Sequence, residues 1–152
     1  MRSAWRIVLW NWRDGAFSGD GAAAGGGRWN SAGTKVVYLS EHKSLAALET
    51  LVHLPRTATA RFAFFRVELP DDSIEALATA ALPADWMRQP PSAAAQAIGD
   101  TWAREKRSAI LAVPSVIIPE ELNYLLNPTH PDFESIAIGP SALFTFDPRL
   151  LA

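Results

Sequence analysis

Cysteine is absent from the 152 residues, which removes disulfides, thiolate nucleophiles and Cys-based zinc sites from consideration and fits a reducing compartment. An excess of positive charge is missing too: 14 Lys and Arg stand against 16 Asp and Glu, a formal charge of -2. Such a chain has no basic field to hold a phosphate backbone or an anionic bilayer, so neither direct nucleic-acid binding nor membrane attachment is expected. Long hydrophobic runs are lacking. Ile110 to Val113 and Val116 to Ile118 are broken by Pro114 and Pro119, far short of the ~20 apolar residues of a membrane-spanning helix. Met1 to Trp12 has no continuous apolar stretch of the signal-peptide kind, so no export is implied and a cytoplasmic location is expected.

What is present suits one domain over residues 1–152, since 49% of the chain is hydrophobic and can form a sizeable core. Ala4 to Trp10 mixes β-branched and aromatic residues and reads as a strand; Gly15 to Gly33, rich in Gly, Ala and Ser, reads as a long loop. Thr34 to Ser40 favours a strand, and Lys43 to Leu54 changes to helical period through Leu45, Leu48, Leu51 and Val52, closed by Pro55. Arg61 to Leu69 is a further strand. Asp71 to Pro91 is irregular with room for one short helix, and Trp86 is expected to plug it onto the core.

A second helix spans Ser92 to Arg107, with Ser92 as N-cap and basic residues near its C-terminal end. Ala109 to Val113 and Ser115 to Ile118 read as short strands or one bent strand. Pro119 to Pro131 is proline-punctuated, and the last strands fall at Ile136 to Gly139 and Ala142 to Phe146. Strands and helices without regular βαβ alternation predict a mixed α+β fold, a compact mixed sheet with flanking helices.

Several segments can carry chemistry. In Gly25-Gly26-Gly27-Arg28-Trp29-Asn30 the glycines allow close backbone approach and Arg28 offers a fixed cationic fork, which suits a pyrophosphate; a glycine-rich hairpin with a solvated arginine is the competing reading. The loop matches neither the Walker nor the Rossmann glycine pattern. Tyr38 in the next strand reads first as core. Glu49 interrupts the apolar side of its helix, where a carboxylate is costly unless paired or functional, and His53 follows four residues later on the same face. That pair is either an ordinary polar contact at the core edge or part of a site. No third ligand is spaced for a metal, so no metal site is assigned. Ser115 lacks a Gly-x-Ser-x-Gly elbow, which leaves a serine triad with His53 or His130 a weak alternative to a buried, satisfied hydroxyl. Asn127-Pro128 and His130-Pro131 are explained by turn chemistry.

Taken together, these segments resemble the RES family, named for characteristic Arg, Glu and Ser residues. The matching pieces run through almost the whole chain: Trp5-Arg6-Ile7, Gly26 to Asn30, Val37 to Ser40, Ala46 to Glu49 with Val52-His53, and Ile98-Gly99-Asp100 with Trp102. Val113-Pro114-Ser115, Asn123 to Asn127 with His130-Pro131, and Phe146 to Arg149 follow in order. The resemblance implies an ADP-ribosyltransferase-like fold and a toxin of a type II toxin-antitoxin pair that depletes cellular NAD. By motif it implies catalytic roles for Arg28, Glu49, Ser115 and the aromatic partner Tyr38.

Arg28 would clamp the pyrophosphate, Tyr38 would stack on nicotinamide or ribose, Glu49 would stabilise the positive charge developing on the ribose or hold its 2′-hydroxyl, and Ser115 would orient that ribose. Gly27, Trp29, Asn30, His53 and Asn127 are the further NAD-binding candidates. NAD is the substrate and no cofactor is required. The implied partner is a cognate antitoxin with an Xre-like helix-turn-helix part that covers the active site, with a homodimer of the toxin conceivable within the complex. Water, phosphate or a protein side chain could receive the ADP-ribose, and a non-catalytic module that binds a nucleotide or a protein is the reading from another class.

Overall fold

The computed structural model describes residues 1–54 and 60–151. Among the described residues, eight strands form one sheet: β1 Arg2–Leu9, β2 Val37–Ser40, β3 Phe62–Leu69, β4 Ile74–Ala76, β5 Ile110–Pro114, β6 Leu122–Leu126, β7 Ala137–Ile138 and β8 Ala142–Phe144. Their order is β4-β5-β6-β2-β1-β3-β7, with β8 also on β3; β4 and β5 are parallel and the other pairs antiparallel. Three helices accompany them, α1 Asp20–Gly25, α2 Lys43–Leu51 and α3 Ala93–Glu105. The fold is therefore of the expected mixed α+β kind.

Side-chain alternation along the strands divides the core in two. Ala4, Val37, Leu39, Phe65, Val67, Tyr124 and Leu126 point to one face, against Ala16, Phe17 and Ile136. On the other face β2, β5 and β6 carry Tyr38, Leu111, Val113 and Leu125 against Trp102 and Ala103 of α3, while Ile7 and Phe62 of β1 and β3 meet Ala46 of α2. The two helices thus cover different halves of one sheet face.

Between those halves β1 and β2 share only the Trp5↔Ser40 register position, whereas β1 and β3 pair along their whole length. Where this central ladder opens, the Tyr38 carbonyl accepts from Nη1 of Arg6 at 2.9 Å, and the Arg6 Nε donates to the Ala16 carbonyl at 2.6 Å. Burial brings the Arg6 guanidinium down to about 10, so it remains a cation at neutral pH. Its position in the β1 alternation sets it on the face opposite α2 and α3, where it closes the opening from behind.

Several local expectations change. The helix beginning at Lys43 ends at Leu51 rather than Leu54, and Pro55 lies outside the described residues. The Gly15 to Gly33 loop contains α1, whose four-residue-back hydrogen bonds include Ala23 N to Gly19 O at 3.1 Å and Gly26 N to Ala22 O at 2.8 Å. Within Asp71 to Pro91, β4 pairs with β5, and within the proline-rich Pro119 to Pro131 stretch β6 becomes a central strand. Ser115 to Ile118 is not a strand but a bend, since the Ser115 hydroxyl accepts from the N–H groups of Ile117 and Ile118, each at 3.1 Å. Trp86 does pack onto the core, and Ser92 does cap α3, accepting from Ala95 N at 3.1 Å.

Gly99 in α3 fixes how closely this helix approaches the loop that carries Arg28, because a Cβ there would collide with the Trp29 carbonyl oxygen. The obstacle is backbone, which cannot rotate away. Gly99→Ala is expected to destabilise the protein by about 1–3 kcal/mol or more, measured as a lower urea midpoint with an unchanged slope.

Candidate active site

A cavity of about 650 Å³ lies on the helix-covered face where β1 and β2 diverge, lined among others by Gly27, Arg28, Tyr38, Glu49, His53 and Asn123. Its size falls within the roughly 300–1,000 Å³ of small-molecule sites. Arg28 comes from the glycine loop before β2, and Glu49 from the last turns of α2. The sheet opening allows both to reach one space.

Glu49 is half-buried and engaged at one oxygen only. Its Oε1 accepts from Ser115 Oγ at 2.7 Å and from Asn123 Nδ2 at 2.9 Å, and the Asn123 Oδ1 accepts in turn from Ser40 Oγ at 2.7 Å. Among the described residues Oε2 has no protein donor. Neutral donors hold the carboxylate in place without cancelling its charge, which leaves an oriented anion facing the cavity. Its hydrogen bonds do not run to His53, which sits past the end of α2, exposed at the cavity mouth. The expected i,i+4 pair is thus replaced by contacts across the sheet.

The Arg28 loop is organised by buried polar groups. The Tyr38 hydroxyl donates to Asn30 Oδ1 at 2.6 Å and accepts from Trp29 N at 3.1 Å. Asn30 Nδ2 donates to the carbonyls of Ala22, Ser31 and Thr34 at 3.0 to 3.2 Å. From α3, Gln96 Nε2 donates to Gly27 O at 3.0 Å, while the Asp100 carboxylate accepts from the Ser31 N–H and hydroxyl at 2.9 and 2.5 Å. A Cβ at Gly27 would stand 2.7 Å from the Tyr38 hydroxyl, so any other residue there would displace the hydroxyl from its bond to Asn30.

Electrostatics follow from this burial. Desolvation lowers the Arg28 guanidinium below its ordinary value, and the negative charge of Glu49 opposes it. Burial pushes the Tyr38 phenol up, with the Trp29 N–H acting the other way, so the phenol stays neutral at physiological pH.

The sequence-derived candidates separate accordingly. Arg28, Glu49, Gly27 and His53 meet the cavity; Tyr38 and Trp29 border it, with the Tyr38 hydroxyl engaged by the Arg28 loop and Trp29 only 2% exposed. Ser115 is fully buried behind Glu49 and donates to its carboxylate. Asn30 is fully buried inside its loop. Asn127 is a turn residue: it donates to Ala103 O at 3.0 Å and accepts from Thr129 N at 3.0 Å. Among the described residues no Ser-His hydrogen bond is present, and His130 Nδ1 accepts from Asp132 N at 3.0 Å.

Sequence reasoning missed Asn123, Ser40, Gln96 and Asp100. Ser40, Asp100 and Asn123 lie in segments that carry the family resemblance, and Asn123 is also marked locally as an amide between apolar residues. Among the described residues, the group of side chains spaced for a metal is Glu41, His42 and Glu121, which includes neither Glu49 nor His53.

Comparison with known proteins places this geometry. The RES domain family model matches residues 3–147. A "Prs ADP-ribosylating toxin" of Sphingobium sp. (strain YBL2) is 37% identical over 155 residues, covering 98% of this chain and 96% of that protein. A "Toxin Res" of Yersinia enterocolitica is 39% identical over 148 residues, covering 96% and 97%. A chain in the crystal structure of the M. tuberculosis MbcT-MbcA toxin-antitoxin complex matches with a TM-score of 0.74 over 99% of this chain and 86% of that one, at 17% identity, a likeness of fold.

Tyr38→Phe keeps the ring and removes the hydroxyl that joins Trp29 to Asn30. Both of those buried groups lose a partner, and a loss of about 1–3 kcal/mol in urea unfolding is expected; a change below about 0.5 kcal/mol would show that the hydroxyl does not organise the loop.

Proposed function

This chain belongs to the RES domain family, and from that premise we propose that it is the toxin of a toxin-antitoxin pair that cleaves the nicotinamide-ribose bond of NAD. The observation that carries the reading is the oriented Glu49 carboxylate, held at Oε1 by Ser115 and Asn123, in the same cavity as Arg28.

Breaking this bond builds positive charge on the ribose while a neutral nicotinamide departs. A fixed anion facing the ribose stabilises that charge more in the transition state than in the ground state, which is the requirement for catalysis. Glu49 fills this role, with Oε2 toward the ribose or its 2′-hydroxyl. Arg28 holds the pyrophosphate through a guanidinium to which no carboxylate among the described residues is bonded directly. Ser115 and Asn123 position Glu49, Tyr38 positions the Arg28 loop beside the nicotinamide ribose, and His53 at the mouth contacts the outer part of the dinucleotide. NAD enters as substrate, and the chain needs no further cofactor for this step.

The name of the Sphingobium relative favours a second reading of the same cleavage, in which a protein side chain rather than water or phosphate receives the ADP-ribose. Transfer of label from adenine-labelled NAD to protein separates that outcome from release of free ADP-ribose or its phosphate.

The match to a chain from a toxin-antitoxin complex supports an antitoxin as partner. We take it to cover the cavity, where Trp12 and Val52 on the rim are 67% and 59% exposed and offer apolar contact. With a net charge of -2 on this chain, operator binding falls to the antitoxin through a helix-turn-helix part. Purified complex is expected to release no nicotinamide from NAD; full turnover by the complex would contradict this arrangement.

The activity itself is tested by following free nicotinamide. Glu49→Gln is expected to lower kcat by roughly 10²–10³-fold, and Arg28→Ala to raise KM for NAD by about tenfold or more. Undiminished turnover in both variants would remove the two residues from the reaction.

A further inference from the structure

The segment from Pro83 to Pro91 carries no chemical group that its sequence marks as functional, yet it holds the candidate phosphate clamp. Trp86 N donates to Pro83 O at 3.1 Å and Arg88 N to Asp85 O at 3.0 Å, two consecutive turns. They aim two backbone carbonyls at one atom. Nη1 of Arg28 donates to Trp86 O at 2.9 Å and to Arg88 O at 2.8 Å.

The turn is itself held by its aromatic side chain. The Trp86 ring stacks on that of Trp29, centroids 6.0 Å apart and planes 24° apart, and Trp29 is the buried neighbour of Arg28 in sequence. Trp86 also packs against the core cluster that contains Trp102 and Leu125. A single side chain therefore couples the carbonyl turn to the loop that bears Arg28.

From this geometry we infer that Trp86 is a positioning residue for anion binding: it fixes the turn whose carbonyls orient the Arg28 guanidinium toward the cavity. The choice of acceptor matters physically. A carboxylate in the same place would fix the arginine equally well but would compete with a phosphate for its charge; two carbonyls orient it and leave that charge uncompensated. Nε and Nη2 of Arg28 have no protein acceptor among the described residues, so a bidentate face remains for a phosphate. Glu49 is treated the same way, fixed by neutral groups at one oxygen with the other left open.

The inference rests on the reading of Arg28 as a phosphate-binding residue, and a double-mutant cycle separates the two. Equilibrium affinity for ADP is measured for the wild type, Trp86→Ala, Arg28→Ala and the double variant, with thermal melts of each. Trp86→Ala is expected to weaken ADP binding roughly tenfold in the wild-type background and to have no further effect once Arg28 is absent, while Trp86→Phe, which keeps the stack, restores affinity.

Equal losses from Trp86→Ala in both backgrounds, or no loss in either, would overturn the inference and leave the role of Arg28 standing. ADP affinity unchanged by Arg28→Ala would overturn the reading of the site and this inference with it. Should Trp86→Ala fail to melt cooperatively, Trp86→Leu, which retains the apolar plug but not the stack, takes its place in the same cycle.

Discussion

The hydrogen bonds from Ser115 and Asn123 to the Glu49 carboxylate join parts of the molecule that the sheet itself holds apart. Glu49 belongs to α2, which packs mainly on β1 and also touches β2, whereas Asn123 lies in β6 and Ser115 directly follows β5. Between these two halves the β1 to β2 ladder is reduced to one register position. A half-buried carboxylate requires donors, and Ser115 and Asn123 supply them to α2 from the β5 and β6 side of the opening. The same contact that satisfies the charge therefore sets the width of the cavity. It also leaves one carboxylate oxygen facing whatever enters.

The opposite wall is built on a different principle. Arg28 sits in a loop with little regular structure, and such a loop is ordered only if its backbone groups find partners. Tyr38, Asn30, Gln96 and Asp100 supply them, and Gly27 and Gly99 permit the close approaches that these bonds require. Arg6 closes the sheet opening from behind. The result is a cation and an anion held at separate positions in one cavity by mostly neutral donors and acceptors, an arrangement that can act on a substrate carrying phosphates at one point and developing positive charge at another.

The parts of this account that could be read from the chain are those in which one residue contradicts its surroundings. Glu49 among leucines and Arg28 after three glycines are local anomalies, visible without a fold. The amphipathic period of α2, the Ser92 cap and the long strands β1 and β3 were legible for the same reason, since each is a local pattern. What escaped was non-local. Strand β6 is a five-residue apolar run between prolines, and β4 is a three-residue edge; both owe their conformation to pairing with β5.

Helix α1 is made of Gly, Ala and one Asp, and its glycines argued for a loop by propensity. Ser115 is visible by motif, but only the folded chain shows that its single proton goes to Glu49. The sequence marks Asn30 and Asn127 as NAD-binding candidates, and in the fold their amides satisfy backbone carbonyls and turns, the commoner use of a buried asparagine.

The central claim is that one cavity holds NAD with its pyrophosphate on Arg28 and its nicotinamide ribose on Glu49. A crystal structure of the Glu49→Gln variant with NAD tests it most directly, because the substitution preserves shape and slows cleavage. The account predicts pyrophosphate oxygens on the free nitrogens of Arg28 and the ribose against the side chain at position 49, with Ser115 and Asn123 still behind it. NAD bound elsewhere, or with its pyrophosphate away from Arg28, would contradict it.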